Sequence, residues 1–291
     1  MRYLRTVTYG KKGLSRTTRL AAILLVTLLS FSLELQAGAW TQDAGHGQII
    51  LNSDFFQTST YFNESGATQK FSNDGHFRQF TVSSYLEYGL VSRYTLVLYV
   101  PAPFLNYHDI YSAQSSAGLG DVGVGIQKRL NKVESPWAIS GLLTVSFPAY
   151  SATRNPPPGN HQEDIEGRFL IGRGTTCFKR HAFWDTQAGF RYRIGAPADQ
   201  IRTDATVGID LTKRLMVLGQ FFGIIGLRNG EPLSITTNPN AQSDFDLYKC
   251  QLSMVARLTA GTRIQLGWND AFAGRNAGRG QSIIFAVWKR F

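Results

Sequence analysis

Charged residues recur at alternate positions along the second half of the chain: Arg191 with Arg193, and Arg202 with Asp204, joined by Arg129 and Arg263 in similar settings. Side chains two residues apart share one face of an extended strand, so each pair projects together. Guanidinium and carboxylate groups placed this way do no bond chemistry by themselves. They can steer and orient an ion, or an aromatic compound that stacks on guanidinium. They can also neutralise one another as a structural ion-pair network. Arginine leads among these charges, which predicts a preference for anions or stacked aromatics where the face meets water.

The opposite faces show what must position them. In Ile201–Leu211, the residues Ile201, Thr203, Ala205, Val207, Ile209 and Leu211 alternate with Arg202, Asp204, Thr206, Gly208 and Asp210. A helix would scatter those charges, whereas a strand with two unlike surroundings sorts them. Trp184 to Arg193, Asp121 to Gln127, Tyr248 to Leu258 and Arg263 to Asn269 repeat the pattern. Runs of this kind reach the roughly 9–11 residues of a tilted membrane-crossing strand.

Twelve runs are expected, at about 47–61, 76–88, 94–104, 120–130, 137–149, 165–178, 183–194, 201–211, 215–227, 245–258, 263–272 and 281–291. Their connections alternate between short and long, with turn formers such as RNPPPGNHQED concentrated in the long ones. The expected fold is all-β: a transmembrane antiparallel up-and-down β-barrel of about 12 strands, with short periplasmic turns and longer extracellular loops. A soluble β-sandwich would also alternate. Against it stand aromatics near strand ends, with Trp137, Trp184 and Tyr192 as candidate membrane girdle, and long repeated charged faces. In that frame Arg129, Arg191, Arg193, Arg202, Asp204 and Arg263 are the candidate pore-lining residues.

The chain ends IIFAVWKRF, apolar almost to the carboxylate. In lipid every backbone N–H and C=O needs a partner, so the last strand should close on the first. The final Phe291, with Val287, Phe285 and Ile283 before it, is similar to the assembly signal of bacterial outer-membrane barrels, although Lys289 departs from its usual apolar position. That similarity implies contact with the barrel-assembly machinery.

The segments AGAWTQDAGHGQIILN (37–52), SSYLEYGLVSRYTLVLYVP (83–101) and GLGDVGVGIQKRL (118–130) resemble the bacterial family labelled for the meta-pathway of phenol degradation. The resemblance runs almost end to end. It implies an outer-membrane barrel that transports small, often aromatic or hydrophobic, compounds, and it carries over no substrate residues.

Other chemistry finds little support. Gly118 to Gly123 matches G-x-G-x-x-G, but strand-like alternation follows it where a dinucleotide site needs a helix. Twelve strands suit an outer-membrane lipid hydrolase in size, yet none of the five histidines stands in the His-x-Ser pattern of that family. His108, His161 and His181 fall in expected loops or turns. Glu163, Asp164 and Glu166 read as a solvated acidic rim or a lipopolysaccharide contact. No catalytic residue, metal ligand set or cofactor is expected. Cys177 and Cys250 lie in expected strands six and ten, too far apart to bridge, with Cys250 toward lipid.

Six basic residues precede the apolar run Leu20–Leu33, and Ala37-Gly38-Ala39 follows, in the order of a secretory signal peptide. Residues 1–39 are expected to be removed, with the cut after Ala39 or alternatively Ala37, leaving 40–291 as the barrel. A membrane anchor is the rival, but the run is short and ends at Glu34. The remaining chain has 24 Lys+Arg against 19 Asp+Glu, so the formal +10 falls to +5. Basicity belongs to the export signal, and no nucleic-acid partner follows from it. The expected location is the bacterial outer membrane, with its lipid and lipopolysaccharide as partners. The expected function is passage of small molecules. Its alternatives are a closed barrel with binding loops and, third, a lipid hydrolase.

Overall fold

The computed structural model describes residues 38–231 and 237–291. Of the expected signal peptide only Gly38 and Ala39 are among the described residues. Twelve long strands form the barrel: β1 Gly47–Phe62, β3 His76–Val91, β4 Tyr94–His108, β6 Asp121–Arg129, β7 Trp137–Pro148, β8 Asp164–Cys177, β9 Arg180–Arg193, β10 Gln200–Asp210, β11 Leu215–Gly226, β12 Asp246–Arg257, β13 Thr262–Arg275 and β14 Ala277–Arg290. Two short strands, β2 Thr68–Lys70 and β5 Ala113–Ala117, pair back onto β1 and β4 at the long-loop end.

Adjacent strands pair antiparallel all the way round, and β14 returns to β1 with Trp288 opposite Ile50 and Ala286 opposite Asn52. Closure extends to the last residue. Gly47 N–H donates to the Phe291 carbonyl at 2.9 Å, Phe291 N–H donates back to Gly47 at 3.1 Å, and the Phe291 ring stacks on Tyr88. The terminal aromatic is therefore part of the seam.

The apolar side of the alternation faces outward. Leu143, Val207, Leu252, Met254, Leu266 and Ile283 are each more than half exposed. A sandwich would bury these residues and expose the charges, whereas here the charges are inside. An apolar belt of this extent around a wall with no free edge has a solvent in lipid, which places the protein in the outer membrane. Replacing Leu143, mid-strand on β7, with Arg should cost about 2–4 kcal/mol of barrel stability. Urea unfolding in lipid vesicles measures this, and an unchanged midpoint would mean that this face does not meet hydrocarbon.

Trp137 and Trp184 lie on neighbouring sides of Arg173 in the ladder. Their rings meet edge-on at 5.7 Å, and the Arg173 guanidinium sits 5.0 Å from the Trp137 ring centre. This row lies toward the short-turn end, and exposed Tyr192 lies toward the other. Cys177 on β8 and Cys250 on β12 are free and four strands apart.

Two expectations about the connections need correction. The connection expected over 273–280 is strand broken only at Asn276, whose φ of 51° suits an asparagine: β13 and β14 pair with each other as far as Asp270 and Gln281, and beyond that with β12 and β1. His108 and His181 belong to strands, and His108 stacks on His76 across β3–β4 at 5.2 Å.

Just beyond β4, the half-buried Asp109 carboxylate accepts from the N–H groups of Tyr111 and Ser112 at 2.8 and 2.7 Å. The Tyr111 N–H, then that of Ser112, holds this carboxyl below its ordinary range. A depressed value stabilises the turn above the unfolded carboxylate pKa and is lost as pH falls through the depressed one. Amide exchange at Tyr111 and Ser112, corrected for intrinsic rates, should accelerate on acidification in the wild type and show no such step in Asp109→Asn.

Candidate functional site

The lumen is occupied at three levels. At the short-turn end the segment 38–46 runs inside the barrel. Ala39 is fully buried against Ala138 and Leu170, and its carbonyl accepts from the Ser140 hydroxyl. Gln127 Nε2 donates to the Gly38 carbonyl at 2.8 Å. Trp40 meets Phe183 edge-on at 6.2 Å. Gln42 donates from its backbone to Thr95 at 2.8 Å and from its amide to the buried Glu87 at 2.6 Å. Gly45 N–H donates to the Gly89 carbonyl, and Gly89 N–H to that of His46. Gly89 is required for this approach, because a Cβ there would stand 2.0 Å from the Asp43 carbonyl oxygen.

A charged band crosses the lumen above this segment. Asp164 and Glu166, read from sequence as a solvated rim, are instead buried on the inner face of β8. Glu166 receives Arg168, Arg191 Nε at 2.6 Å and Arg202 at 3.5 Å. Asp164 receives Arg191 at 3.4 Å and lies 3.6 Å from Arg193 Nε. Arg168 also donates to Asp204 and, at 3.0 Å, to Gln187. The strand register explains the clustering: Glu166 stands opposite Arg191 across β8–β9, while Gly189 stands opposite both Arg168 and Arg202. With no side chain at 189, Arg168 reaches over β9 to Asp204 on β10; a Cβ there would lie 2.5 Å from Arg168 Cγ.

The structure thus brings Arg191, Arg193, Arg202 and Asp204 together. It places Arg129 and Arg263 elsewhere, near the short-turn end. Arg129 holds the β6–β7 turn, donating at 2.6 Å to both the Asn131 side chain and the Trp137 carbonyl. Arg263 stands opposite Arg257 across β12–β13. The candidates from sequence omitted Arg168, which occupies the centre of the band. Its strand parity with Glu166, between outward Ile165 and Phe169, was the available signal.

At the long-loop end the connection after β11 crosses toward other strands. Asn238 donates to the Pro157 carbonyl at 2.7 Å, Asn240 to Gln79 at 3.2 Å, and the Ala198 N–H to Ser243 at 3.0 Å. Arg193 ties this layer to the band by donating at 3.3 Å to the Ser243 carbonyl. A separate polar cavity of about 450 Å³ lies at the β1–β14 seam, where the register breaks between Gln57 and Thr60, and is lined by His76, Arg78 and Arg279 among others.

A closed twelve-stranded antiparallel barrel, apolar outside and charged inside, with both barrel-end strands at the short-turn end, is an outer-membrane β-barrel. Among solved structures it is similar to the COG4313 outer membrane channel from Pseudomonas putida F1, with a TM-score of 0.62 and 13% identity over 89% of this chain and 100% of that one. More distant are the β domain of the Bordetella autotransporter BrkA (TM-score 0.48, 11% identity, 86% and 100% covered) and the KdgM porin (0.45, 8%, 82% and 99%). Neither a protein-family model nor a curated protein matches the sequence.

Proposed function

We propose that the barrel passes small molecules across the outer membrane without performing bond chemistry on them. The observation that carries this reading is how the lumen is filled. A chain segment, ion pairs and loop side chains occupy most of it, beside a smaller apolar cluster of Phe56, Phe77 and Leu105. Such a filling can rearrange without unfolding the wall, because the strand ladders do not depend on it. In this reading Arg191, Arg193, Arg202 and Asp204, with Arg168 and Glu166, form the selective band, and Arg129 and Arg263 line the wall toward the periplasm.

The resemblance of 83–101 and 118–130 to the family labelled for the meta-pathway of phenol degradation supports aromatic or hydrophobic compounds as cargo. Guanidinium faces along the band suit aromatic stacking. The Phe291 seam supports recognition of the C-terminal strand by the barrel-assembly machinery, and the long loops would meet lipopolysaccharide.

Single-channel recording of the refolded protein in planar bilayers tests the function. Discrete steps are expected, with ion selectivity that changes in the Arg191→Ala, Arg193→Ala, Arg202→Ala triple variant. Silence from inserted, folded barrel would sink passive conduction. It would favour the second reading, a closed barrel acting through its loops, for which the loop contacts across the mouth at Asn238 and Asn240 speak.

A further inference from the structure

The lumen holds a buried acid with no cation paired to it among the described residues. Asp185, on the inner face of β9, is 4% exposed, and no lysine, arginine or histidine among the described residues pairs with it. Its charged surroundings are the acids Asp204 and Glu87. An isolated buried carboxylate is costly, so a partner is expected. What does lie against it is Gly38. A Cβ on Gly38 would stand 2.7 Å from Asp185 Oδ1.

Gly38 and Ala39 are moreover built into the barrel. The Gly38 carbonyl serves Gln127, which is 1% exposed, and the Ala39 carbonyl serves Ser140, which is fully buried. Losing both residues would leave Gln127 only its longer 3.4 Å bond to the Trp40 carbonyl, strip Ser140 of its carbonyl partner and empty the site between Ala138 and Leu170.

We infer that the export signal is cut after Ala37, and that the new α-ammonium group of Gly38 docks inside the barrel as the cation of Asp185. The cut is a hydrolysis: the Ala37–Gly38 amide bond breaks, water supplies the second oxygen of the Ala37 carboxylate, and its two protons end on the freed amine, which becomes the ammonium. This displaces the boundary that Ala37-Gly38-Ala39 suggests, after Ala39. It also orders events, because the amide N–H of an uncut chain carries no charge for Asp185. Only the processed chain completes the lumen-filling segment electrostatically. The inference stands on the position of 38–46 in the barrel and holds whether or not the lumen conducts.

Intact mass and N-terminal sequencing of the protein purified from outer membranes should give a chain beginning with Gly38. Acetylation of its α-amine by an N-hydroxysuccinimide ester at neutral pH, located by mass spectrometry, should be slower than in the urea-unfolded chain by about tenfold or more, since only a locally opened fraction reacts. Asp185→Asn should abolish most of that protection. Should this variant fail to fold, a refolded chain that begins at Ala37 provides the second arm, because its amine is displaced from the carboxylate and should react faster than that of the Gly38 chain. A mature chain beginning at Trp40, a wild-type amine as reactive as when unfolded, or protection unchanged in the variants would each overturn the proposal.

Discussion

A refolded barrel that begins at Gly45, without residues 38–44, is expected to conduct in steps several-fold larger than the chain that retains them. The segment lies in series with the charged band, and its Trp40 side chain and buried Ala39 fill the lumen near Phe183 and Leu170. Its attachments are few. The contacts of Gly38, Ala39 and Gln42 with Gln127, Ser140, Thr95 and Glu87 are side-chain hydrogen bonds, each worth about 1 kcal/mol net. The β-ladders that make the wall include none of them, so the truncated barrel should keep its heat-modifiable mobility on gels. The same increase should follow from Gly89→Val, which leaves the segment's sequence intact but drives a side chain into the Asp43 carbonyl. Unchanged step size in both variants would mean that the loops across the far mouth set the resistance and that the segment is a structural lining.

These features were unequally legible in the sequence. The wall was the easiest part: period-two alternation requires only that two faces meet different surroundings, and the runs at 201–211 and 137–149 correspond to β10 and β7 within a residue or so. The segment 273–280 misled because Gly274, Asn276, Gly278 and Gly280 read as loop formers, while pairing with β12 and β1 keeps Gly274 and Gly278 extended and the chain breaks only at Asn276. The charged band was half visible. Strand parity put Arg191 and Arg202 inside, but which acid each arginine meets depends on register between strands, and one chain's pattern does not contain register. Glu166 was misread because its neighbours Glu163 and Asp164 made it look like part of a polar rim. The segment 38–46 was invisible as a lumen filler. It has no periodicity, and the hydrogen bonds it makes with wall side chains join residues 45 to 101 positions apart.

Glu166→Ala should be the most damaging single change within the band. Glu166 is the common acceptor for Arg168, Arg191 and Arg202. Its loss leaves Arg168 with Asp204, and Arg191 with Asp164 at the longer distance of 3.4 Å, but removes the acid that Arg202 meets. Removing one partner of a buried ion pair costs about 3–5 kcal/mol in a dry interior. Arg191 and Arg202 retain 24% and 23% side-chain exposure, so water would screen part of the deficit, and about 2–3 kcal/mol is expected. The electrical effect has a definite sign. The lumen at that level gains a net positive charge, so reversal potentials in a salt gradient should move toward anions. Arg202→Ala alone should move them toward cations. The Glu166→Ala, Arg202→Ala double variant should lie near the wild type in selectivity and be less destabilised than the sum of the two single changes, because the charges are removed together. Additive stabilities would show that the pair does not interact. Selectivity unmoved by either single change in a conducting barrel would show that permeating ions do not pass the band.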